Sequence, residues 1–123
     1  MNTTIQKTLA VEHSTLNGKV KLSGAKNSAL KLQTISLLTD EEVYLTNFPN
    51  GLSDAKIHNE MLKVLGKSVE ACEDALKIIG EMDTNELIWD GRSIRNTLLI
   101  WGAMVARKGI SKVPLPGGCK IGE

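Results

Sequence analysis

The sequence predicts an α/β protein. Short β-prone runs alternate with segments of helical period, an order that argues for layered helices and strands. From Lys19 to Ile79 the elements read βαβαββ, and a second unit of the same kind begins after residue 90 and does not finish.

Taken in order, residues 4–11 are β-prone but alternate imperfectly, and Ser14-Thr15-Leu16-Asn17-Gly18 is a turn signal. Lys19-Val20-Lys21-Leu22 alternates as a short strand does. Ser23-Gly24-Ala25-Lys26-Asn27 breaks it, with Gly24 read as a residue of unusual backbone angle. A helix is expected over 28–38, with Ala29, Leu30, Leu32, Ile35, Leu37 and Leu38 mostly on one face. Val43–Asn47 reads as a strand closed by Phe48-Pro49-Asn50-Gly51. Ser53 or Asp54 is placed to cap a helix over 55–65 that turns Ile57, Met61, Leu62 and Leu65 inward, and Gly66 ends it. Residues 69–71 and 75–80 form a hairpin, and Leu87-Ile88-Trp89 is extended. The strongest helix runs over 93–107 with a core stripe of Ile94, Leu98, Trp101, Met104 and Val105. Beyond Lys108-Gly109 comes an extended Val113-Pro114-Leu115-Pro116.

Bulk composition narrows the function classes. The 123 residues suffice for one modest core, and with aromatics at 3% that core must be aliphatic. A net charge of +1 argues against a general nucleic-acid face but leaves room for a local anion site. Cys72 and Cys119 make neither a disulfide framework nor a zinc pattern, and no metal or cofactor is implied. The start has no apolar signal region, and no run is long enough to span a membrane, so a cytoplasmic protein is expected.

Three places carry chemistry. At Ser23-Gly24-Ala25-Lys26-Asn27 a strand ends and a helix begins, so free amides, a helix dipole, the Lys26 ammonium and the Asn27 amide meet where a phosphate or carboxylate could bind. A solvated lysine beside a cap is the plain alternative. Arg95, in the expected first turn of the last helix, has a guanidinium suited to gripping phosphate, with Arg92 as a competitor and an exposed helix arginine as the alternative. Pro116-Gly117-Gly118-Cys119-Lys120-Ile121-Gly122 surrounds a thiol with glycines, which suits an acid or nucleophile and equally an inert turn cysteine. Elsewhere, His13 and His58 lie far apart and are read as surface residues, Cys72 as a small core or edge residue, and Asp40-Glu41-Glu42 as a solvated turn.

Together these segments resemble the UDP-N-acetylglucosamine 1-carboxyvinyltransferase (enolpyruvyl transferase) family. Leu22-Ser23-Gly24-Ala25-Lys26-Asn27-Ser28-Ala29-Leu30 is similar to its SGAKNAAL segment, and Ser93-Ile94-Arg95 to its MRAS helix start. Met104-Val105-Ala106-Arg107 and Leu115-Pro116-Gly117-Gly118-Cys119-Lys120-Ile121-Gly122 are similar to its LVAR and LPGGCxIG segments. The order and spacing match over nearly the whole chain, which corresponds to the first part of a much longer family.

The resemblance implies a pair of inside-out α/β barrels built from βαβαββ units, with residues 1–17 joining the second domain and 18–123 forming an incomplete first domain that ends at the catalytic loop. It implies transfer of enolpyruvyl from phosphoenolpyruvate to the 3′-hydroxyl of UDP-N-acetylglucosamine, committing that sugar to peptidoglycan. Cys119 is then the acid and the target of fosfomycin, Lys26 and Asn27 contact phosphoenolpyruvate, and Arg95 contacts the UDP-sugar. It further implies that the remaining C-terminal part of the enzyme is a necessary partner. The shikimate-pathway transferase of the same fold lacks the Pro-Gly-Gly-Cys loop and fits less well. Glu123 stands where the family has Ala or Asn before Arg-Pro. That departure keeps two alternatives open: a non-catalytic paralogue holding a nucleotide sugar or protein partner, and a transferase acting on another nucleotide.

Overall fold

The computed structural model describes residues 7–117. Three helices, α1 (Lys26–Ile35), α2 (Ser53–Val64) and α3 (Thr97–Lys108), accompany three strands, β1 (Val43–Leu45), β2 (Ser68–Cys72) and β3 (Ala75–Ile79). A 3₁₀ turn, Ser36–Leu38, extends α1. The sheet is antiparallel in the order β1-β3-β2, with Val43 opposite Ile78 and Val69 opposite the same residue on the other side. The fold is thus a small α+β arrangement.

The first two helices and the hairpin form close to where the sequence places them, but α1 and α2 each start two residues earlier, so Ser53 and Asp54 lie inside α2 and neither caps it. Leu30, Leu37, Met61, Leu62, Leu65, Leu76, Ile78, Met82, Ile100 and Met104 are fully buried in one core. Gly66 ends α2 at φ +100°, a conformation that a side chain rarely adopts. Its amide bonds to Lys63 O and that of Lys67 to Leu62 O, the paired bonds of a Schellman ending. Strands β2 and β3 meet through a tight turn at Glu73-Asp74, with Cys72 opposite Ala75. Cys72 is an exposed residue on an edge strand, so the edge reading holds and the core reading does not.

Several expectations are corrected. Lys19–Leu22 is not a strand, nor are residues 7–11. Alternation chooses a face but supplies no partner, and among the described residues no strand lies alongside. Leu9, Val11, Leu16, Val20 and Leu22 stand exposed instead. Residues 4–6 lie outside the described region. The extended Leu87-Ile88-Trp89 segment forms no strand; its neighbour Glu86 makes one isolated parallel bridge, to Lys112. Helix α3 begins at Thr97, not Ser93: the Thr97 and Leu98 amides bond to Ile94 O and Arg95 O three residues back, closing a turn before the helix, and the Thr97 hydroxyl adds a bond to Ile94 O at 2.7 Å. Its core stripe is rotated accordingly: Thr97, Ile100, Ala103 and Met104 face inward, while Leu98 and Trp101 are about half exposed.

His58 is no surface residue. It is fully buried in α2, and neither ring nitrogen has a hydrogen-bond partner among the described residues. Buried polar groups the sequence reading did not foresee also tie the helices together. Gln33 Nε2 of α1 donates to Ala55 O at 3.2 Å and to Asn59 Oδ1 at 2.7 Å, both on α2. At the opposite ends of the helices, buried Lys67 donates to Thr39 O at 2.5 Å and to Gly80 O. Burial holds its pKa below the usual lysine value, against the pull of nearby Asp40. Arg107 joins the same place, donating to Leu38 O at 3.2 Å and to Asp40 Oδ1 at 2.6 Å. Asp40, exposed in a bend with Glu41 as the sequence suggests, thus also takes part in a tie between elements.

An apolar groove of about 370 Å³ runs between α1 and α3, lined by Ile35, Leu38, Leu98, Leu99 and the small residues Gly102 and Ala103. Exposed apolar surface of this kind drives association. The 123-residue chain is therefore expected to self-associate, with sedimentation velocity showing oligomers at micromolar concentration. Ile35→Lys should shift it toward monomer without cost to α1, whose last turn has no basic residue to favour its dipole. A wild-type chain sedimenting as a sharp monomer would contradict this.

Candidate functional site

The cleft is built from three helix beginnings. Ala25, Lys26 and Asn27 start α1, Asp54 lies in the first turn of α2, and Arg95 and Asn96 lead into α3. With Arg92, Ser93, Ile94 and Gly117 they line an open cleft of about 820 Å³. No side chain caps any of the three helices. The first amides of α3 bond to Ile94, Arg95 and Asn96 O, so free first-turn amides come from α1 and α2, and the positive ends of three dipoles face the same region.

Local sequence explains how each group arrives there. Gly24 is needed for close approach and not for an unusual backbone angle: a Cβ there would lie 2.2 Å from Asn47 O and 3.0 Å from Pro49 Cδ. Asn47 returns the contact, its Nδ2 donating to Leu22 O at 3.3 Å. The chain entering α1 is thereby pressed against the turn that precedes α2. Arg92 is set by the segment before it: the Trp89 indole folds over Gly91 and donates to Arg92 O at 3.2 Å. Arg95 occupies the turn ahead of α3 and not its first helical turn. Gly117 packs so closely on Ser93 that a Cβ would lie 2.5 Å from Ser93 O, and Ser93 Oγ donates to Leu115 O at 2.7 Å. The root of the glycine-rich segment is thus fastened to the backbone beside Arg95. Cys119 itself lies outside the described residues.

The structure brings together Lys26, Asn27 and Arg95, the three described candidates, and adds Asp54. The Lys26 ammonium lies 2.9 Å from Asp54 Oδ2, and Arg92 Nη2 pairs with Asp54 Oδ1. Three cations thus face one carboxylate across the cleft, leaving it positive. In the sequence Asp54 stands out only as a candidate helix cap. Its acidic type in a first turn was visible, but its pairing with Lys26 depends on packing between α1 and α2. Asn27 and Arg95 continue into a second lobe of about 330 Å³ with Lys31 and Asn96. Among the described residues no group of His, Cys, Asp and Glu could hold a metal ion, and no helix is long and apolar enough to cross a membrane.

Converging helix starts, a net-positive cleft and an anchored glycine-rich segment define an α+β unit equipped to bind an anionic ligand. Comparison with known proteins is consistent with this class. The family model described as EPSP synthase (3-phosphoshikimate 1-carboxyvinyltransferase) matches residues 11–123, and the chain belongs to that family. Among its relatives, a protein of Campylobacter hominis named UDP-N-acetylglucosamine 1-carboxyvinyltransferase is 42% identical, over 87% of this chain and 26% of its own length. Proteins of the same name from Prochlorococcus marinus and Fervidobacterium nodosum are 42% and 39% identical, over 92% and 93% of this chain and 25% and 27% of theirs. The chain spans about a quarter of the length of these relatives.

Proposed function

We propose that this chain supplies the N-terminal part of an enzyme that transfers enolpyruvyl from phosphoenolpyruvate to the 3′-hydroxyl of UDP-N-acetylglucosamine with release of phosphate, the committing step of peptidoglycan synthesis in the cytoplasm. The observation that supports this reading is the meeting of Lys26, Asn27 and Arg95 in one cleft with the root of the Gly117 segment. The relatives' shared name points to the acceptor.

In this reading Lys26 and Asn27, at the positive end of α1, hold the phosphate and carboxylate of phosphoenolpyruvate. Arg95 holds the UDP-sugar. The 3′-hydroxyl oxygen bonds to C2 of phosphoenolpyruvate while C3 accepts a proton, and the hydroxyl proton passes to a base. The tetrahedral adduct then loses a C3 proton and the C2–O bond to phosphate, leaving an enolpyruvyl ether. An enol phosphate is a poor electrophile until C3 is protonated, so an acid must stand there. Cys119 is that acid. Residues 1–17 pass to a second domain and 18–123 form part of the first. The remainder of the enzyme contributes a further anion-binding arginine and a catalytic aspartate.

Grafting residues 1–123 in place of the matching quarter of the Campylobacter hominis relative tests this. The graft should release phosphate from phosphoenolpyruvate only with UDP-N-acetylglucosamine present. Lys26→Ala should lower that rate by about a hundredfold or more, the scale of losing one charged contact to a developing anion. The 123-residue chain alone should show no release above its Cys119→Ala control. A graft active without Lys26, or a chain active by itself, would show this assignment wrong.

A further inference from the structure

The reading above leaves two charged groups of the cleft, Asp54 and Arg92, without a role. Asp54 is the carboxylate among the cleft's cations, its side chain is four-fifths buried, and it touches Lys26 and Arg92 at once. Resting on that reading, we propose that Asp54 is the positioning residue of the anion site, holding the Lys26 ammonium and the Arg92 guanidinium as a converging pair that receives phosphoenolpyruvate.

Two effects oppose each other. A carboxylate in an anion site repels the ligand and occupies donors the ligand could use. It also gathers two long, mobile cations that would otherwise repel one another and disperse into water. Donor counting favours the second effect. An ammonium has three N–H groups and a guanidinium five, and Asp54 engages one from each in the pairs seen here. Most donors stay free for a ligand, and the cleft stays positive because Arg95 adds a third cation. Each side chain carries about 2 kcal/mol of rotamer entropy, so a carboxylate that has already restrained both lowers what the ligand must spend to order them. The position of Asp54 suits this role: seated in the first turn of α2, it is itself favoured by that helix's dipole and stays put when a ligand arrives.

The test uses the 123-residue chain carrying Ile35→Lys, with and without Asp54→Asn or Asp54→Glu. Without ligand, limiting acetic anhydride and peptide mass mapping read the freedom of the Lys26 amine against exposed Lys56 of the same helix as Asp54. Asp54→Asn should raise Lys26 labelling severalfold, and Asp54→Glu should restore most of the protection. With phosphoenolpyruvate, calorimetric titration of the grafted enzyme carrying the same Asp54 substitutions should show affinity falling about tenfold in Asp54→Asn, with little further loss when Lys26→Ala is added. A role confined to supporting α2 would leave those two losses additive, and additivity would overturn the proposal. So would unchanged Lys26 labelling, or an Asp54→Asn graft that binds phosphoenolpyruvate as tightly as its parent. Should the grafted enzyme bind no phosphoenolpyruvate while labelling still follows Asp54, the positioning role stands and the functional reading above falls.

Discussion

Between pH 6.5 and about 4 the chain should lose stability steadily, and His58 is the cause. Burial pushes its pKa down from 6.5 to about 4, because the imidazolium would sit in the core with no partner for either ring nitrogen. Above pH 6.5 both folded and unfolded chains hold a neutral imidazole, and the group is silent. As pH falls below 6.5 the unfolded chain takes up a proton that the folded chain refuses, so stability falls with pH. The slope approaches about 1.4 kcal/mol per pH unit and the total about 3 kcal/mol, levelling off below pH 4. Asp74, whose pKa is lowered by its hydrogen bond to Lys21, acts only below the usual carboxylate value of 3.8 and so outside this window. Urea midpoints of the Ile35→Lys chain from pH 4 to pH 7.5 measure the effect. His58→Leu should flatten the profile and cost little at pH 7, since it removes two buried nitrogens that bond to nothing. A profile that is flat before the substitution would rule His58 out.

In the grafted enzyme, fosfomycin should alkylate Cys119 and leave Cys72 untouched, faster with the UDP-sugar present as the loop closes. The contrast is informative because Cys72 is exposed and open to reagent. Its sulfur faces the Glu70 carboxylate at 3.9 Å, which disfavours the approach of an anionic inhibitor. The step at C3 requires an acid more than it requires sulfur. Cys119→Asp should therefore keep turnover while losing alkylation, whereas Cys119→Ser, a far weaker acid, should lose about a hundredfold or more. Peptide mapping and the two rates decide it. A modified Cys72, or a Cys119→Ser enzyme at full rate, would remove Cys119 from the acid role.

The parts of this fold legible in the sequence are those whose cause is local. The period of Met61, Leu62 and Leu65 and the stop at Gly66 define most of α2, and Ala75–Ile79 declares a strand that pairs back on itself. The parts that were not legible depend on partners. Lys19–Leu22 alternates as well as many strands do, yet alternation cannot provide a neighbour to bond with. Leu98 and Trp101 look like core residues until packing turns Thr97, Ile100, Ala103 and Met104 inward instead. His58 looks like surface because a histidine without a ligand usually is one. At the site, Lys26, Asn27 and Arg95 stand out in the sequence through short segments at familiar spacing, and the structure brings them to one cleft. Asp54 does not stand out, because its two partners belong to a different helix and to the loop before α3, and only packing joins them.

The knot formed by Lys67, Arg107 and Asp40 lies at the far ends of the helices whose starts line the cleft. Each helix is therefore a lever pivoted at one end. A helix of 12 residues, such as α2 or α3, is about 18 Å long, so a tilt of roughly 3° at the pivot carries its tip about 1 Å, enough to break a hydrogen bond. The angular stiffness of the knot thus limits how finely the cleft can hold Lys26, Asp54 and Arg95 in register. The aim of the site is set in part at the opposite ends of its own helices.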